Sequence, residues 1–447
     1  MRSALEIGSR IAALAVFAVF GCTPDAANDP VPEAMEFDTE AAPPRVPQPT
    51  GLVVNPATGH IDFALAGTPL PDDCDEPSAF SPAECGFNKY LESLDGFPTV
   101  APATAPATAE LDPDTLTLGE NVIVLPVKNP AAAPDVALGF DTGKVALTIH
   151  PEPTWEIGET YFMAVRGYAR GVRALSGSEV VGSPTMSLIK EDESLTCGAT
   201  TPAEIDPECP ALRLLVQNQP EAEARRSVFT LEAIRAGYAA SGIWDVMEDL
   251  GLPKSEIAVL WGFPIHSASV AEIDPVAGLL PRVTGANELR VAVHGPVDAA
   301  SVTAFVVREE SGPVVLMDLT AAAEGDLVAG FPRIEAAYED GQIVLTGEDD
   351  FVAGHQYGVF MTRGVRNPDG VPLVPAPISV LLTSTAPLVD ADGKSQLSTV
   401  PDADAALLEV GRAQLAPLFD NPVLGALTGI TREELVYCFA FAFPELP

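Results

Sequence analysis

The chain has 447 residues and carries 63 acidic against 24 basic side chains, for a formal net charge of −39 at pH 7. Nucleic acid and anionic lipid surfaces carry the same sign of charge, so this acidity excludes both as electrostatic partners. It is typical of a well-solvated extracytoplasmic surface, with bound divalent cations as the alternative. The length is enough for two or three domains.

The first 21 residues have the pattern of a signal peptide. Arg2 and Arg10 supply positive charge, and residues 11–20 form an apolar run. A run of about ten residues is too short to remain in a bilayer, where a spanning helix needs about 20. We therefore predict that residues 1–21 direct export and are then removed.

The tetrad Val19-Phe20-Gly21-Cys22 follows this run and resembles the lipobox of bacterial lipoproteins. The resemblance implies cleavage before Cys22 and acylation of its thiol and its new amine, with palmitate as an acyl donor. Two or three acyl chains hold a protein to a membrane far more firmly than one. Thr23, which is not aspartate, implies sorting to the outer membrane, on its periplasmic or its cell-surface face. The alternative is an ordinary signal peptide with an incidental cysteine.

Residues 22–48 are rich in proline, alanine and acidic side chains and poor in aliphatic ones. Such a segment has little apolar surface to bury, so we predict a disordered tether between the anchor and the folded part. The folded part would then begin at residue 49.

Four cysteines form two pairs that are close in sequence, in acidic stretches that contain proline: Cys74 with Cys85, and Cys197 with Cys209. In an exported chain, local pairs predict disulfides that hold loops with little core of their own. Cys438 is left over and lies in the apolar run at residues 435–441, which favours a buried thiol over a reactive one.

Short runs rich in β-branched residues alternate with proline and glycine along the rest of the chain. Examples are residues 122–125, 144–149 and 302–307. Short strands separated by frequent turn residues are typical of β-sandwiches, so we predict a mainly β fold.

Three segments recur in the same order in the two halves of the chain. They are residues 112–117 and 298–303, residues 155–161 and 351–357, and residues 251–263 and 429–441. Such a repeat predicts two related Ig-like β-sandwich modules, residues 49–270 and 271–447. The repeated tyrosines, Tyr161 and Tyr357, are predicted to combine a buried ring with a hydrogen-bonded hydroxyl.

Apolar residues change to helical spacing late in each module, at residues 221–250 and 402–418. Pro220 suits the start of the first helix. The almost wholly apolar runs that follow, residues 257–263 and 435–443, predict central buried strands. Each module therefore has a helical insertion before its last strand.

Several segments resemble known bacterial families. The turn Asn367-Pro368-Asp369-Gly370 and the repeated Gly-x-x-Tyr strand entry resemble Ig-like modules of surface-layer type. The chain resembles the N-terminal domain of bacterial virulence-factor lipases at residues 46–52, 58–63, 91–97 and 99–102. It resembles lipoproteins of this kind at residues 388–395 and 407–412. The resemblance covers most of residues 46–443, and it implies fold and location rather than activity because its motifs are structural.

The lipases of that family carry their chemistry in a separate α/β-hydrolase domain with a Gly-x-Ser-x-Gly nucleophile elbow. No serine of this chain has glycine at both the second position before it and the second position after it. We therefore predict no catalytic residues and no enzyme activity.

Metal and phosphate motifs are also missing or incomplete. Asp390-x-Asp392-Gly393 is a fragment of a calcium loop without its third ligand and distal glutamate, so a solvated turn is favoured and calcium is the alternative. Gly393-Lys394-Ser395 ends like a phosphate loop, but Leu388 stands where the first glycine is required. No zinc spacing joins the five scattered histidines, His60, His150, His266, His294 and His355. We predict no metal site and no cofactor.

Together these features predict a non-catalytic protein of the cell envelope, held at the outer membrane through Cys22, that binds, adheres or acts as a spacer. Its ligand would be a protein or a glycan of unknown identity. The alternative is an accessory relative of the lipase N-terminal region that assists a separately encoded hydrolase. An enzyme with a site of unfamiliar type is the third reading.

Overall fold

The computed structural model describes residues 32–444, apart from residues 40, 42–44, 131, 218, 272–280, 307–311, 327–328 and 420–429. The predicted signal peptide, the lipobox and Cys22 lie outside the described residues. We call residues 32–267 the first half and residues 268–444 the second half.

The first half contains two antiparallel sheets and a parallel ribbon. Its strands are β1 (Glu33–Met35), β2 (Ala103–Pro106), β3 (Val122–Pro126), β4 (Val136–Asp141), β5 (Ala146–Pro151), β6 (Thr160–Arg166), β7 (Val180–Gly182) and β8 (Ile257–Pro264). One sheet has the order β2-β5-β4 and the other the order β3-β6-β8. β1 pairs in parallel with β7.

The second half has a similar pair of antiparallel sheets, without a parallel ribbon among its described strands. Its strands are β9 (Val270–Ala271), β10 (Arg282–Gly285), β11 (Glu288–His294), β12 (Val314–Asp318), β13 (Ile334–Glu339), β14 (Gln342–Gly347), β15 (Gln356–Thr362) and β16 (Leu435–Ala442). One antiparallel sheet has the order β10-β11-β14-β13, with β9 paired to β11, and the other has the order β12-β15-β16. β4 and β5 form a hairpin in the first half, and β13 and β14 form the corresponding hairpin in the second.

The described helices are α1 (Pro82–Glu92), α2 (Pro184–Ile189), α3 (Pro210–Leu215), α4 (Glu221–Ser241), α5 (Ile243–Asp249), α6 (Leu319–Ala323), α7 (Pro377–Leu382) and α8 (Asp402–Phe419). α4 and α5 occupy the single helical segment predicted at residues 221–250, which Gly242 divides with a left-handed φ of 69°. A glycine adopts this conformation without steric cost and commonly ends a helix. α8 lies where the second helix was predicted.

Each half has a hydrophobic core that includes residues of both antiparallel sheets. In the first half, Ile149 of β5 lies in the same buried cluster as Trp261 of β8. In the second half, Leu345 of β14 lies in the same cluster as Tyr437 of β16. The cores therefore form between the two sheets of each half, where alternate residues of the strands point inward.

The last strand of each half is apolar because both of its faces are buried. In β16, Tyr437 belongs to the core between the sheets, whereas Cys438 lies in a separate cluster with Leu382 of α7 and Leu415 of α8. The helices thus cover the outer face of this sheet. β8 and β16 nevertheless stand at the end of their described sheets, and β6 and β15 are central. The prediction of buried strands is confirmed, and their predicted central position is wrong.

The repeated tyrosines make the same hydrogen bond in both halves. The hydroxyl of Tyr161 accepts the backbone N–H of Glu156 at 3.1 Å, and the hydroxyl of Tyr357 accepts that of Val352 at 2.9 Å. Each tyrosine therefore closes the turn that leads into its own strand, with the ring buried, as the sequence predicts.

Part of the predicted tether is folded. Met35 and Phe37 are at most 1% exposed and belong to the first core, and Val46 lies in the same cluster. β1 pairs with β7, and the backbone amide of Glu36 donates to the carbonyl of Pro106. The prediction of a disordered tether over residues 22–48 is therefore wrong for its described part, because a few apolar side chains suffice to dock it.

Helix and strand take nearly equal shares of the chain. The predicted antiparallel sheets are present, and the helices α4 and α8 lie before the last strands β8 and β16 as predicted. The fold is therefore a mixture of helix with several antiparallel sheets. The helical share is larger than the sequence indicated because short helices such as α2 and α7 lack the length needed for a periodic pattern.

Candidate functional site

The predicted disulfides are confirmed. Cys74 is bonded to Cys85, and Cys197 to Cys209. Cys438 is a buried free thiol, and burial raises its pKa. A thiol of this kind is chemically inert rather than nucleophilic.

The helix held by the Cys74–Cys85 disulfide, α1, contacts the second half. The hydroxyl of Tyr90 donates to the carbonyl of Pro375 at 2.8 Å. At the other end of α1, the backbone amide of Ser398 donates to a carboxylate oxygen of Glu84 at 3.1 Å. Ala83 of α1 also lies in a buried apolar cluster whose other fully buried members belong to the second half, namely Leu381, Leu388 and Leu397.

A second contact between the halves surrounds the connecting segment, residues 265–269. This segment is hydrogen-bonded on both sides. The carbonyl of His266 accepts the amide of Gly158 in the first half at 2.9 Å. The hydroxyl of Ser269 donates to the carbonyl of Pro296 in the second half at 2.8 Å. The first core extends to Ile265 and the second starts at Val270, so this segment is the junction between them.

Two histidines lie at this junction. His266 is 1% exposed, and its Nδ1 has no hydrogen-bond partner among the described residues. Burial lowers the pKa of His266 to about 4, and the nearby His294 lowers it further. His294 ends β11, and its Nδ1 lies 3.2 Å from the hydroxyl of Thr154 in the first half. Burial lowers the pKa of His294 as well.

The junction also brings together a serine and an aspartate beside His266. The amide of Ser267 donates to Asp95 at 2.9 Å, and the hydroxyl of Ser267 donates to the same carboxylate. A serine nucleophile needs its hydroxyl hydrogen-bonded to a basic nitrogen. Here the hydroxyl is bound to a carboxylate, so the described contacts fix the backbone and form no catalytic triad.

An apolar depression of about 380 Å³ lies in the first half between α4 and the strands β6 and β8. Its lining includes no charged side chain and is formed by Thr50, Gly51, Leu52, Thr160, Phe162, Ala233, Ile234, Gly237, Tyr238, Gly262, Phe263 and Pro264. The hydroxyl of Tyr238 is engaged, since it donates to the carbonyl of Leu260 at 3.0 Å. The depression is shallow and open, and it presents mainly apolar atoms.

The calcium-loop fragment forms a closed turn. One carboxylate oxygen of Asp390 accepts the backbone amides of Asp392 and Lys394 at 2.9 and 2.8 Å. The ammonium group of Lys394 is paired with Asp402 at 2.7 Å. Among the described residues, no group of three His, Cys, Asp or Glu side chains could hold a metal ion.

The remaining histidines are dispersed. His60 and His150 are exposed. His355 lies with its Nδ1 2.8 Å from the carboxylate of Asp318, which also accepts the amide of Ala321 at the start of α6. This arrangement holds the turn before β15 against α6.

One repeated polar feature was missed by the sequence analysis. Arg235 pairs with Glu232 on α4, and the same carboxylate accepts the backbone amide of Leu195 at 2.8 Å. Arg412 pairs with Glu409 on α8, whose carboxylate accepts the amide of Leu388 at 2.8 Å. The arginine holds the pKa of each glutamate below its ordinary value. The Glu-x-x-Arg spacing on both helices was the available signal, and each pair fastens a long helix to a distant loop.

No helix in the described part of the chain is both long enough and apolar enough to cross a membrane. No family model matches this sequence, and no curated protein matches it. Among solved structures, the N-terminal part of the bacterial S-layer protein SbsC is similar over 19% of this chain and 19% of that chain, with 15% identity and a TM-score of 0.15. A TM-score this low carries no argument about fold or function.

Proposed function

We propose that this protein is a non-catalytic, lipid-anchored component of the cell envelope, in which two modules form one rigid body that acts as a spacer or a binding scaffold. The observation that carries the proposal is the connection between the halves. The segment 265–269 is hydrogen-bonded to both halves, and α1 makes a second contact some distance along the chain. Two separate attachments resist bending better than a single flexible linker does.

The architecture supports a relation to Ig-like modules. In each half, two antiparallel sheets share one core, and a buried tyrosine closes the turn before a central strand. These features are those of β-sandwich domains that envelope proteins use as structural units. We propose that the modules are Ig-like sandwiches related to the N-terminal region of virulence-factor lipases, with helices covering the outer face of one sheet.

The compartment is supported by the cysteines. Disulfides persist in oxidising environments outside the cytoplasm, and both local pairs are bonded. The lipobox residues before Cys22 supply the anchor in this proposal, and the outer membrane is the proposed destination. The net charge of −39 keeps such a body soluble and apart from anionic surfaces.

Metabolic labelling tests the anchor. Cells that express the full chain are grown with radiolabelled palmitate, and the wild type is compared with Cys22→Ala. We expect label and outer-membrane fractionation in the wild type and neither in Cys22→Ala. Cys438→Ala is the matched control, since that buried thiol should not affect labelling. Label that persists in Cys22→Ala would disprove the anchor.

The binding role is tested by a pull-down from outer-membrane extracts with the mature protein, in calcium and in chelator. Retention of a specific protein or glycan would support a binding scaffold, and dependence on calcium would identify the acidic surface as a participant. A captured hydrolase would favour the accessory role instead. An empty eluate under both conditions would contradict binding and leave the spacer role.

A further inference from the structure

The junction between the halves contains two buried or half-buried imidazoles, and its other hydrogen bonds include those of Ser267 with the carboxylate of Asp95. His266 belongs to the connecting segment, and its side chain is enclosed with Nδ1 unpaired among the described residues. His294 belongs to the second half and reaches Thr154 in the first. The two rings are close enough for a charge on one to disfavour a charge on the other.

Charged groups also surround these rings. Asp95, in the loop after α1, attracts a proton to His266, and Glu156 does the same for His294 from 3.8 Å. The carboxylate of Glu159 is occupied by the amides of Lys128 and Thr160, and the ammonium group of Lys128 donates to the carbonyl of Gly158. Burial outweighs the two attractions, since both histidines are held neutral.

We propose that the junction is an acid-sensitive lock, in which proton uptake by His266 and His294 releases the connecting segment from its neighbours, while the contact through α1 still joins the two halves. A buried imidazolium is expensive, and the attraction of Asp95 and Glu156 offsets only part of that cost because burial has the larger effect on both rings. Opening the junction exposes both rings to water, where the charge costs little.

The direction of the pH dependence follows from the lowered pKa of His266. The closed junction holds His266 at a pKa of about 4, against 6.5 for a solvated imidazole. The closed state is therefore fully favoured above pH 6.5 and loses stability as the pH falls towards 4. Each pKa unit is a factor of ten, so His266 alone shifts the opening equilibrium by up to about 300-fold over this interval.

Hydrogen exchange of the mature full chain between pH 7 and pH 4.5 tests the lock, after correction for the intrinsic exchange rates. The reporters are the amides of Gly158 and Val374, which donate to the carbonyls of His266 and Ser269. We expect their protection to fall by about 100-fold over this range. Amides between β4 and β5, which lie outside the junction, should keep their protection.

The decisive comparison uses the double variant His266→Gln with His294→Gln, which cannot take up the protons. Its junction should stay equally protected at pH 7 and at pH 4.5. His150→Gln is the matched control and should behave as the wild type, since His150 is exposed. An equal loss of protection in the double variant would overturn the proposal, as would a wild-type junction that stays protected at pH 4.5. If glutamine at position 266 loosens the junction already at pH 7, the change between pH 7 and pH 4.5 decides, because a further fall in the protection of the double variant as large as that of the wild type contradicts the lock.

Discussion

Replacing Tyr161 by phenylalanine removes one hydroxyl and leaves the packing of the ring in place. Tyr161 is 1% exposed, and its ring lies 4.7 Å from that of Trp155. The hydroxyl accepts the amide of Glu156, and burial raises the pKa of Tyr161. Glu156 is an exposed residue, so water can reach its amide once the hydroxyl is gone. The expected loss is therefore the net value of a hydrogen bond, about 1 kcal/mol, rather than the larger penalty of an unsatisfied buried group.

Tryptophan fluorescence isolates this effect, because Trp155, Trp244 and Trp261 are the three tryptophans of the chain and all lie in the first half. Urea unfolding followed by fluorescence therefore reports the first half alone. With a slope of about 2 kcal/mol per molar urea, the loss lowers the midpoint by about 0.5 M.

The repeat supplies the matched variant. Tyr357→Phe should lower the fluorescence midpoint less than Tyr161→Phe does and destabilise the second half by a similar amount, measured by circular dichroism, because its hydroxyl makes the equivalent bond. Tyr338→Phe is the control, since its hydroxyl has no hydrogen bond among the contacts of the described chain. A Tyr161→Phe protein as stable as the wild type would refute the assignment of the hydroxyl as a structural acceptor.

Two further predictions concern the backbone and the helices. Val145 has a φ of 50° in the turn between β4 and β5, a conformation that a β-branched residue adopts only under strain. Val145→Gly should therefore stabilise the first half by about 1 kcal/mol in the fluorescence assay. A lower urea midpoint for the variant would contradict the strain. Glu232→Gln and Glu409→Gln should each destabilise their own half by about 2 kcal/mol at pH 7, since a charged acceptor is lost. The arginines lower the pKa of both glutamates, so this stabilisation exists at higher pH and disappears as the pH falls through the lowered values. A difference from the wild type that persists in acid would exclude the ion pair as its origin.

The sequence allowed most of the strands to be predicted because their signals are local. Residues 122–125 lie in β3 and residues 146–149 in β5, whereas the run at residues 302–307 has isolated bridges instead of a strand in its described part. Residues 155–161 and 351–357 carry the same aromatic, glycine and tyrosine pattern, and the structure gives both tyrosines the same bond. The disulfides could also be predicted, because the two cysteines of each pair are close along the chain and this spacing limits the possible partners.

The features that could not be predicted from the sequence are those that depend on contacts distant in sequence. Met35 and Phe37 are isolated apolar residues in an acidic stretch, and only the pairing of β1 with β7, far along the chain, buries them. The placement of His266 and His294 at one junction has the same origin, because no spacing rule links a turn residue to the end of a strand in the other half. Composition indicates which segments are poor in apolar residues. It does not show which distant parts of the chain will bury the few apolar side chains that such a segment has.

The pairing of β1 with β7 has a mechanical consequence for an anchored protein. β1 lies parallel to β7, and backbone bonds tie its residues to the neighbouring strand and to the segment at residues 106–108. With the proposed anchor at Cys22, a pull from the membrane would enter the described part of the chain near Glu33, where several backbone hydrogen bonds share the load. The first described segment to feel tension would then be one that is docked on the first core.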